Sequence, residues 1–269
     1  MSYNEPLSDR TIAISISEST DMAALGLAPE HLRDAAAEIA RHLLALGARL
    51  AYGGDLRDDG FTELLFELVT RHRRDADAGD RRASIVNYLP WPSISSLSLA
   101  DLKEKRARTE GLVEFKFLDL DGHVIPVDRL GDALARHSSA GIEQQLTAMR
   151  RLIVRETDAL VALGGRVEGF KGKMPGVAEE VLSAIVAERP LYLMGGFGGC
   201  ARDIAAEMRL LPGEGGGLRW KGRDNFGDHG LSALRNGLER DESHSLARTA
   251  HVDQAVALIV RGLVRCARG

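Results

Sequence analysis

The feature that most constrains the fold is the alternation of short apolar runs with longer amphipathic segments. The run "TIAISIS" over 11–17 is rich in β-branched residues, and the segment 29–47 after it has apolar residues at helical spacing and ends in Gly47. The pattern returns as an apolar run over 48–54 and an amphipathic segment over 59–74. Strands that alternate with helices form mostly parallel sheets with helices on both faces. The sequence therefore predicts a Rossmann-like, doubly wound α/β fold.

The rest of the chain continues the alternation. Further strands are predicted over 83–91, 112–119, 158–165 and 190–199, and further helices over 128–157, 175–189, 201–211 and 251–266. The polar segment 92–111 is predicted to be a connection, and 212–230 a flexible surface loop. Because 269 residues can bury one large core, we expect a single domain over 1–269, with residues 1–10 as a flexible tail.

Composition narrows the classes of function and the cellular compartment. The net charge of −4 provides no basic field to gather nucleic acid, so a nucleic-acid partner is not expected. Cys200 and Cys266 form no CxxC pair, which argues against a disulfide framework or a zinc cluster. The segment 1–10 lacks the basic and apolar regions of a signal peptide, and no run reaches the roughly 18 apolar residues of a membrane span. We expect a cytoplasmic protein with no membrane partner.

Several catalytic motifs are absent from the sequence. It contains no GxxxxGK[ST] phosphate loop, no HExxH zinc motif and no GxSxG nucleophile elbow. The segment "GGFGGC" resembles the dinucleotide fingerprint only loosely, and no clear acidic residue follows a later strand. We therefore expect no metal and no resident cofactor, and neither hydride transfer nor serine hydrolysis.

Three glycine clusters follow predicted strands directly: "YGGD" at 52–55, "LGGR" at 163–166 and "GGFGGC" at 195–200. The carboxyl ends of parallel strands line the ligand crevice of an open α/β sheet. Glycine lets the backbone approach a ligand and frees N–H groups for anionic oxygens, and the N-terminus of the next helix adds a favourable dipole. Together the clusters predict a site for a phosphate-bearing ligand, although each one alone could be only a tight strand-to-helix turn.

The clusters and the end of the first strand supply candidate ligand contacts. From the glycine clusters these are Gly53, Gly54, Asp55, Gly164, Gly165, Arg166, Gly196, Phe197 and Gly198. Phe197 could stack on an adenine or could serve packing alone. Ser17 and Glu18 follow the first strand and could touch a base or a ribose, or could only cap a loop. Asp55 could instead form a surface salt bridge.

Four segments carry a resemblance to a known superfamily. In chain order they are "TIAISIS", "LAYGGD", "MRRLIVRETDALVALGGRVEGFKGKMPGVAEE" and "PLYLMGGFGG". Together they resemble the SLOG superfamily, which includes the Lonely Guy phosphoribohydrolases and the Smf DNA-processing proteins. They are most similar to its TIR-associated branch, which includes the sensor domain of the Thoeris antiphage NADase. The resemblance spans about Arg10 to Leu263 and implies a single SLOG-like nucleotide-binding domain.

The resemblance also implies roles for residues near the second glycine cluster. Lonely Guy enzymes cleave the N-glycosidic bond of a nucleotide with an arginine and the final glutamate of a PGGxGTxxE motif. If Gly176 matches the glycine before the threonine, Glu180 matches that glutamate, and Arg150 or Arg151 matches the arginine. The enzymatic pattern is broken by the intervening segment "RVEGFKGKM" and by Val177 in place of the threonine.

In the TIR-associated branch such departures are normal, and the resemblance implies a receptor for an ADP-ribose or cyclic ADP-ribose type of ligand. The residues expected to contact that ligand here are Arg150, Arg166, Lys171, Lys173, Gly176, Glu179 and Glu180. The basic side chains can pair with a pyrophosphate, and either glutamate can accept hydrogen bonds from ribose hydroxyls. The same residues have alternative roles as a solvated loop and as favourable charges in the first turn of a helix.

Three functions remain open from the sequence. The first is a nucleotide-signal receptor that does not turn its ligand over, with a TIR or other effector protein as partner. The second is a nucleotide N-glycosidase or phosphoribohydrolase of Lonely Guy type, with Glu180 as the catalytic carboxylate and Arg150 nearby. The third is a structural oligomerisation module with the apolar segment 255–264 at an interface. Homodimers are common in the superfamily, so the resemblance implies a homo-oligomer.

Overall fold

The computed structural model describes residues 5–54, 61–75, 84–95, 97–109, 111–135, 141–212 and 219–268. The strands in these ranges are β1 (Thr11–Ser17), β2 (Arg49–Gly53), β3 (Ile85–Leu89), β4 (Val113–Leu118), β5 (Val124–Ile125), β6 (Ala159–Gly164) and β7 (Leu191–Met194). They form one seven-stranded sheet in the order β5-β4-β3-β2-β1-β6-β7. Neighbouring strands are parallel, except that β5 runs antiparallel to β4.

Helices cover both faces of this sheet. They are α1 (Pro29–Ala45), α2 (Phe61–Asp75), α3 (Trp91–Ile94), α4 (Leu99–Arg108), α5 (Leu130–Ala135), α6 (Ile142–Glu156), α7 (Gly176–Val186), α8 (Gly199–Glu207), α9 (Arg240–Arg248) and α10 (Val252–Arg268). Side chains of α6, α7 and α8 pack into the core on one face, and those of α1, α2 and α10 into the core on the other. The predicted Rossmann-like α/β fold with a mostly parallel sheet is confirmed.

The two cores follow from the alternation of side chains along each strand. In β1, Ile12 and Ile14 belong to one core and Ala13 belongs to the other. Every residue of β6 is buried, which explains why its sequence is a continuous apolar run rather than an alternating one. The alternation along β1 therefore determines which core each of its side chains joins.

The order of the strands places a topological switch point beside β1. From β1 the chain builds outward through β2, β3 and β4, and it then returns to place β6 on the other side of β1. Connections from the carboxyl ends of β1 and β6 leave in opposite directions, and such a divergence opens a crevice. The fold therefore places a ligand crevice at the carboxyl ends of the central strands.

Two polar segments are more ordered than the sequence predicted. The predicted connection 92–111 contains most of α3 and the whole of α4, and the Ser98 side chain caps α4 by accepting from the backbone N–H of Asp101 at 3.1 Å. Within the predicted flexible loop 212–230, Trp220 and Phe226 are buried and pack against each other. The prediction of a flexible surface loop is wrong for this part, because two large aromatic side chains anchor it.

Other boundaries also differ from the predictions. The strand predicted over 190–199 ends at Met194, because Gly195–Phe197 form a 3-10 helix. Helix α9 forms where no element was predicted. Residues 5–10 are not a flexible tail: the Leu7 side chain is buried, and its backbone N–H donates to the Leu46 carbonyl at 3.0 Å. Among the described residues, no helix combines the length and the apolar character needed to cross a membrane.

Candidate functional site

A cleft of about 860 Å³ lies at the carboxyl ends of β1 and β2. This volume falls within the range of roughly 300–1,000 Å³ that is typical of small-molecule sites. The lining residues are Ile14, Ser15, Ile16, Ser17, Tyr52, Gly53, Gly54, Pro90, Ser93, Leu97, Lys105, Ile142, Leu146, Met149, Arg150, Arg166, Gly169, Phe170, Lys171, Gly176, Val177 and Glu180. The cleft therefore occupies the crevice that the switch point creates.

Helix α6 supplies one wall of the cleft. Ile142, Leu146, Met149 and Arg150 line it, at the spacing i, i+4, i+7 and i+8, which places all four side chains on one face of the helix. Arg151, the alternative to Arg150, is exposed and does not line the cleft. The structure thus resolves the register that the sequence left open.

The Arg150 guanidinium is held between two glycines and two carboxylates. Its Nη1 donates to the Glu179 carboxylate, and its Nε lies 3.9 Å from Glu180 Oε1. A Cβ on Gly172 would lie 2.7 Å from Nη1, and a Cβ on Gly176 would lie 2.7 Å from Nη2. A Cβ at either position would therefore displace the guanidinium from the backbone, and Gly176 acts through Arg150 rather than through a glycine-rich phosphate loop.

Glu179 serves Arg150 and not the cleft. Its carboxylate is buried, accepts hydrogen bonds from Thr147 Oγ1 and from Arg150 Nη1, and does not line the cleft. Both of its oxygens are occupied by these donors. The prediction that Glu179 contacts a ligand is corrected: this carboxylate fixes the position of Arg150.

Among the described residues, Glu180 is the one carboxylate that lines the cleft. Burial raises the pKa of Glu180 to about 6, the charge on Arg150 and a hydrogen bond with Ser15 oppose that rise, and the charge on Glu179 adds to it. At neutral pH the carboxylate is mostly ionised, yet it gains a proton only slightly below neutrality. It can therefore accept hydrogen bonds from hydroxyl groups or exchange a proton with a ligand.

The glycines after β6 make a tight crossing rather than an open anion site. Gly164 and Gly165 have φ values of +64° and +108°, which favour glycine. The Gly165 N–H donates to the Ser17 carbonyl at 2.7 Å, and the Arg166 N–H donates to Ser17 Oγ at 3.0 Å. These N–H groups are already bonded within the protein, so the prediction that this cluster offers free donors to a phosphate is corrected. Ser17 and the Arg166 side chain still line the cleft.

The glycines after β7 lie outside the cleft. A Cβ on Gly196 would lie 2.1 Å from the Thr249 carbonyl oxygen, so close backbone packing requires this glycine. Phe197 is fully buried in the core, and the prediction that it stacks on a base is wrong. The Gly199 N–H at the start of α8 donates to both oxygens of the Asp21 carboxylate, at 2.9 and 3.0 Å. Gly198 lies against the same carboxylate.

The remaining predicted contacts divide between the cleft and the surface. Gly53 and Gly54 line the cleft, and a Cβ on Gly53 would lie 2.5 Å from Ile153 Cδ1 of α6. Glu18 instead lies 3.7 Å from Arg33 in an exposed ion pair, so its predicted ligand contact is corrected. Lys173 is exposed and is absent from the lining, unlike Lys171. Asp55 lies outside the described residues.

Several lining residues were missed by the sequence analysis. Ser15 and Lys105 carry polar groups into the cleft, and Leu97, Leu146 and Phe170 carry apolar surface. Ser15 could have been found, because it stands between Ile14 and Ile16 in the apolar run of β1 and shares a face with Ala13. Lys105 could not, because the helix that carries it was predicted as a connection.

One group of potential metal ligands occurs among the described residues. The ligand atoms of Asp119, Asp121 and His123 lie within 4.8 Å of one another on the turn between β4 and β5. Asp119 Oδ1 already accepts the backbone N–H groups of Asp121 and His123, at 2.9 and 2.8 Å. These bonds explain the group as a capped turn.

The fold and the cleft define an α/β protein with a cleft of small-molecule size at the switch point of a mostly parallel sheet. A family model described as SLOG cluster2 matches residues 6–214, and all of the residues that line the cleft fall within that range. The chain therefore belongs to the SLOG cluster2 family, within the SLOG superfamily. No curated protein matches the chain.

Proposed function

We propose that the chain binds a nucleotide-derived ligand of ADP-ribose or cyclic ADP-ribose type in this cleft. The observation that carries the proposal is the distribution of charge in the cleft: among the described residues, four basic side chains and one buried carboxylate line it. The basic side chains belong to Lys105, Arg150, Arg166 and Lys171. Such an excess of positive charge suits a phosphorylated ligand, and membership of the SLOG superfamily agrees with a nucleotide-related function.

The basic residues differ in how they can engage phosphates. Arg166 and Lys171 are exposed on the loop after β6, and within the described part of the chain neither side chain forms an ion pair. They can turn towards a pyrophosphate without breaking an existing contact. Arg150 is fixed by Glu179, so it presents a preorganised cation at the inner end of the cleft.

Glu180 supplies the complementary contact for a ribose. An ionised carboxylate can accept hydrogen bonds from two adjacent hydroxyl groups, and such charge-assisted bonds are stronger than neutral ones. Ser15 can add a hydroxyl contact beside it, since Ser15 lines the cleft and hydrogen-bonds with Glu180. A ligand with phosphates at the basic side chains and a ribose diol at Glu180 satisfies both sets of groups.

The biological setting is part of the same proposal. The resemblance to TIR-associated proteins supports a role as a sensor in a TIR-linked bacterial defence or signalling system, with a TIR or other effector protein as partner. It also supports assembly as a homo-oligomer. The two free cysteines, Cys200 and Cys266, fit a reducing compartment such as the cytoplasm.

Hydrolysis is the second candidate function, and the raised pKa of Glu180 favours it. In N-glycosidic cleavage, water adds to C1′ of the ribose, the bond from C1′ to the base nitrogen breaks, and the base leaves with a proton. Glu180 can stabilise the positive charge that develops on the sugar and accept the proton of the water, which it then releases to solvent, while the departing base takes its proton from solvent. Val177 stands where the enzymes carry a threonine, so receptor function remains the first proposal.

The test separates the two functions in one experiment. Purified protein is incubated with AMP, ADP-ribose, NAD and isomers of cyclic ADP-ribose, thermal stability is followed, and the recovered ligand is analysed by mass spectrometry. A ligand at a hundredfold its Kd stabilises the fold by about 2.7 kcal/mol. Stabilisation by an ADP-ribose type of ligand that is recovered intact supports the receptor. Free base and a ribose phosphate among the products support the hydrolase, and no stabilisation with no product contradicts both.

Two lysines on one loop provide a matched control for binding. Lys171 lines the cleft and Lys173 does not, although both are exposed. We expect Lys171→Ala to weaken binding of ADP-ribose and Lys173→Ala to leave it unchanged. Equal effects of the two substitutions would contradict the assignment of the cleft as the binding site.

A further inference from the structure

Five apolar side chains in the lining of the cleft are not used by the proposed phosphate and ribose contacts. They are those of Leu97, Ile142, Leu146, Met149 and Phe170. They come from the segment between α3 and α4, from α6 and from the loop after β6. Three separate parts of the chain thus contribute apolar surface to the cleft, and we call these five residues the apolar end.

The geometry of α6 aligns the apolar end with the charged end. Ile142, Leu146 and Met149 form a stripe that leads directly to Arg150. Arg150 follows Ile142 by eight positions, which corresponds to about 12 Å along the helix axis. A ligand that lies along this stripe therefore meets apolar surface at one end and Arg150 with Glu180 at the other, which is the order of groups in a nucleotide.

The apolar end presents surface that a ligand can cover. Ile142 is 48% exposed, although it is a large apolar residue in the first turn of α6. Leu97, Leu146 and Phe170 are only partly buried. Covering apolar surface of this kind with a planar ring removes it from water and is favourable.

Phe170 is the aromatic residue that suits stacking. The other aromatic residue in the lining, Tyr52, already packs edge-on against Phe61, with ring centroids 5.0 Å apart. Phe170 lies in the loop that also carries Arg166 and Lys171, so one loop can contact both a ring and the phosphates of the same ligand. Every nucleobase offers a flat face to such a ring.

We propose that Phe170 and the apolar stripe of α6 bind the heterocyclic base of the ligand, and that this subsite makes the cleft selective for nucleotides over sugar phosphates. The inference rests on the proposed function, because it assigns the base of the same ligand. It also replaces Phe197, which is buried in the core, with Phe170 as the stacking residue.

The test compares a ligand with a base and one without, by isothermal titration calorimetry with AMP and with ribose 5-phosphate. Wild-type protein is expected to bind AMP more tightly. Phe170→Leu keeps an apolar side chain but removes the ring. This variant is expected to bind AMP about 5- to 150-fold more weakly and to bind ribose 5-phosphate with unchanged affinity. Phe170→Trp is expected to retain AMP binding.

A second variant guards against a folding defect in the first. Ile142 is exposed, so Ile142→Asn should preserve the fold while placing a polar group at the apolar end. This variant is expected to weaken the binding of AMP and not that of ribose 5-phosphate. Val186→Ala is the matched control, because Val186 is 76% exposed on α7 and does not line the cleft. If Phe170→Leu and Ile142→Asn bind AMP as tightly as the wild type does, or if the wild type binds AMP and ribose 5-phosphate equally, the inference is overturned and the proposed function stands. The inference is also overturned if the wild type binds ADP-ribose but not AMP. If the wild type binds none of these ligands, the proposed function fails together with the inference.

Discussion

Two of the glycine-rich junctions at which a strand leads into a helix differ in what fills them. We call residues 164–176 the α7 junction and residues 195–199 the α8 junction. The α7 junction places the Arg150 guanidinium against two glycines and adjoins the cleft. The α8 junction is filled by the protein itself: Phe197 is buried, and the Gly199 N–H is bonded to Asp21. One junction faces the cleft and the other is closed.

The comparison shows what a glycine cluster does and does not indicate. At both junctions a Cβ would collide with a neighbouring group, so glycine reliably marks close approach. The approaching group is a charged side chain at Gly176 and a backbone carbonyl at Gly196. Only the first arrangement leaves a charged group beside a cleft, and the identity of the neighbour therefore decides whether a cluster is functional.

The largest effect is expected from removing the charged group at the α7 junction. Arg150→Ala leaves Glu179 as a buried carboxylate without its cation, and breaking a buried pair in this way costs about 3–5 kcal/mol of unfolding free energy. Ligand binding should be lost as well. Urea denaturation measures the first effect and calorimetry with AMP the second.

The neighbouring arginine is the control for that substitution. Arg151 is exposed and does not line the cleft, so Arg151→Ala is expected to change the free energy of unfolding by no more than about 0.5 kcal/mol. If the two variants were equally stable, the assignment of Arg150 as the organising cation of the α7 junction would be wrong.

The next largest effect distinguishes the two kinds of glycine. Gly196→Ala forces a methyl group against the Thr249 backbone and is expected to cost about 1–3 kcal/mol of stability, with no selective effect on ligand binding. Gly176→Ala meets only the end of the Arg150 side chain, which can shift more readily than backbone, so it should cost less stability but weaken AMP binding by displacing the guanidinium. Thermal denaturation measures the stability of both variants, and calorimetry measures their affinity for AMP. If the two variants lost stability and AMP affinity to the same extent, the distinction between the two glycines would be wrong.

A pH-dependent effect is expected from Glu180, which lies in α7 just after the α7 junction. The pKa of Glu180 is raised from 4.5 to about 6 in the folded protein, so this group contributes stability that is fully present below pH 4.5 and is lost as the pH rises through 6. The contribution is at most about 2 kcal/mol. Glu180→Gln lacks this pH-dependent contribution. The free energy of unfolding of this variant, relative to wild type, should therefore increase by up to that amount between pH 4.5 and pH 7. Urea titrations across this range test the expectation, which a pH-independent difference would contradict.

Much of the fold could be predicted from the sequence, because the way an element is buried determines where its apolar residues fall in the sequence. Strand β6 is a continuous apolar run and α1 has an amphipathic pattern, and both were predicted close to their observed bounds. Helix α4 was missed because only Leu102 of its residues is buried, which leaves no apolar stripe to detect. Its one sequence signal is the capping pair Ser98 and Asp101.

The candidate site could be predicted only in part, because motif spacing locates a residue but not its partners. The spacing placed Glu180 at the start of α7, and the structure places it in the cleft. It could not separate the adjacent carboxylates, of which Glu179 points to Thr147 and Arg150. It also could not show that Asp21 fills the α8 junction, because the two bonded residues are 178 positions apart in the chain.

The smallest effect is expected from opening the α8 junction. Asp21 accepts the first N–H of α8 and a hydrogen bond from Ser19, so Asp21→Ala removes a helix cap and is expected to cost about 1 kcal/mol of unfolding free energy. Asp21→Asn keeps an acceptor and should cost less. Because this junction lies outside the cleft, both variants should bind AMP with the wild-type affinity when measured by calorimetry. A selective loss of AMP binding in Asp21→Ala would instead make the two junctions parts of one site, and the contrast between them would no longer hold.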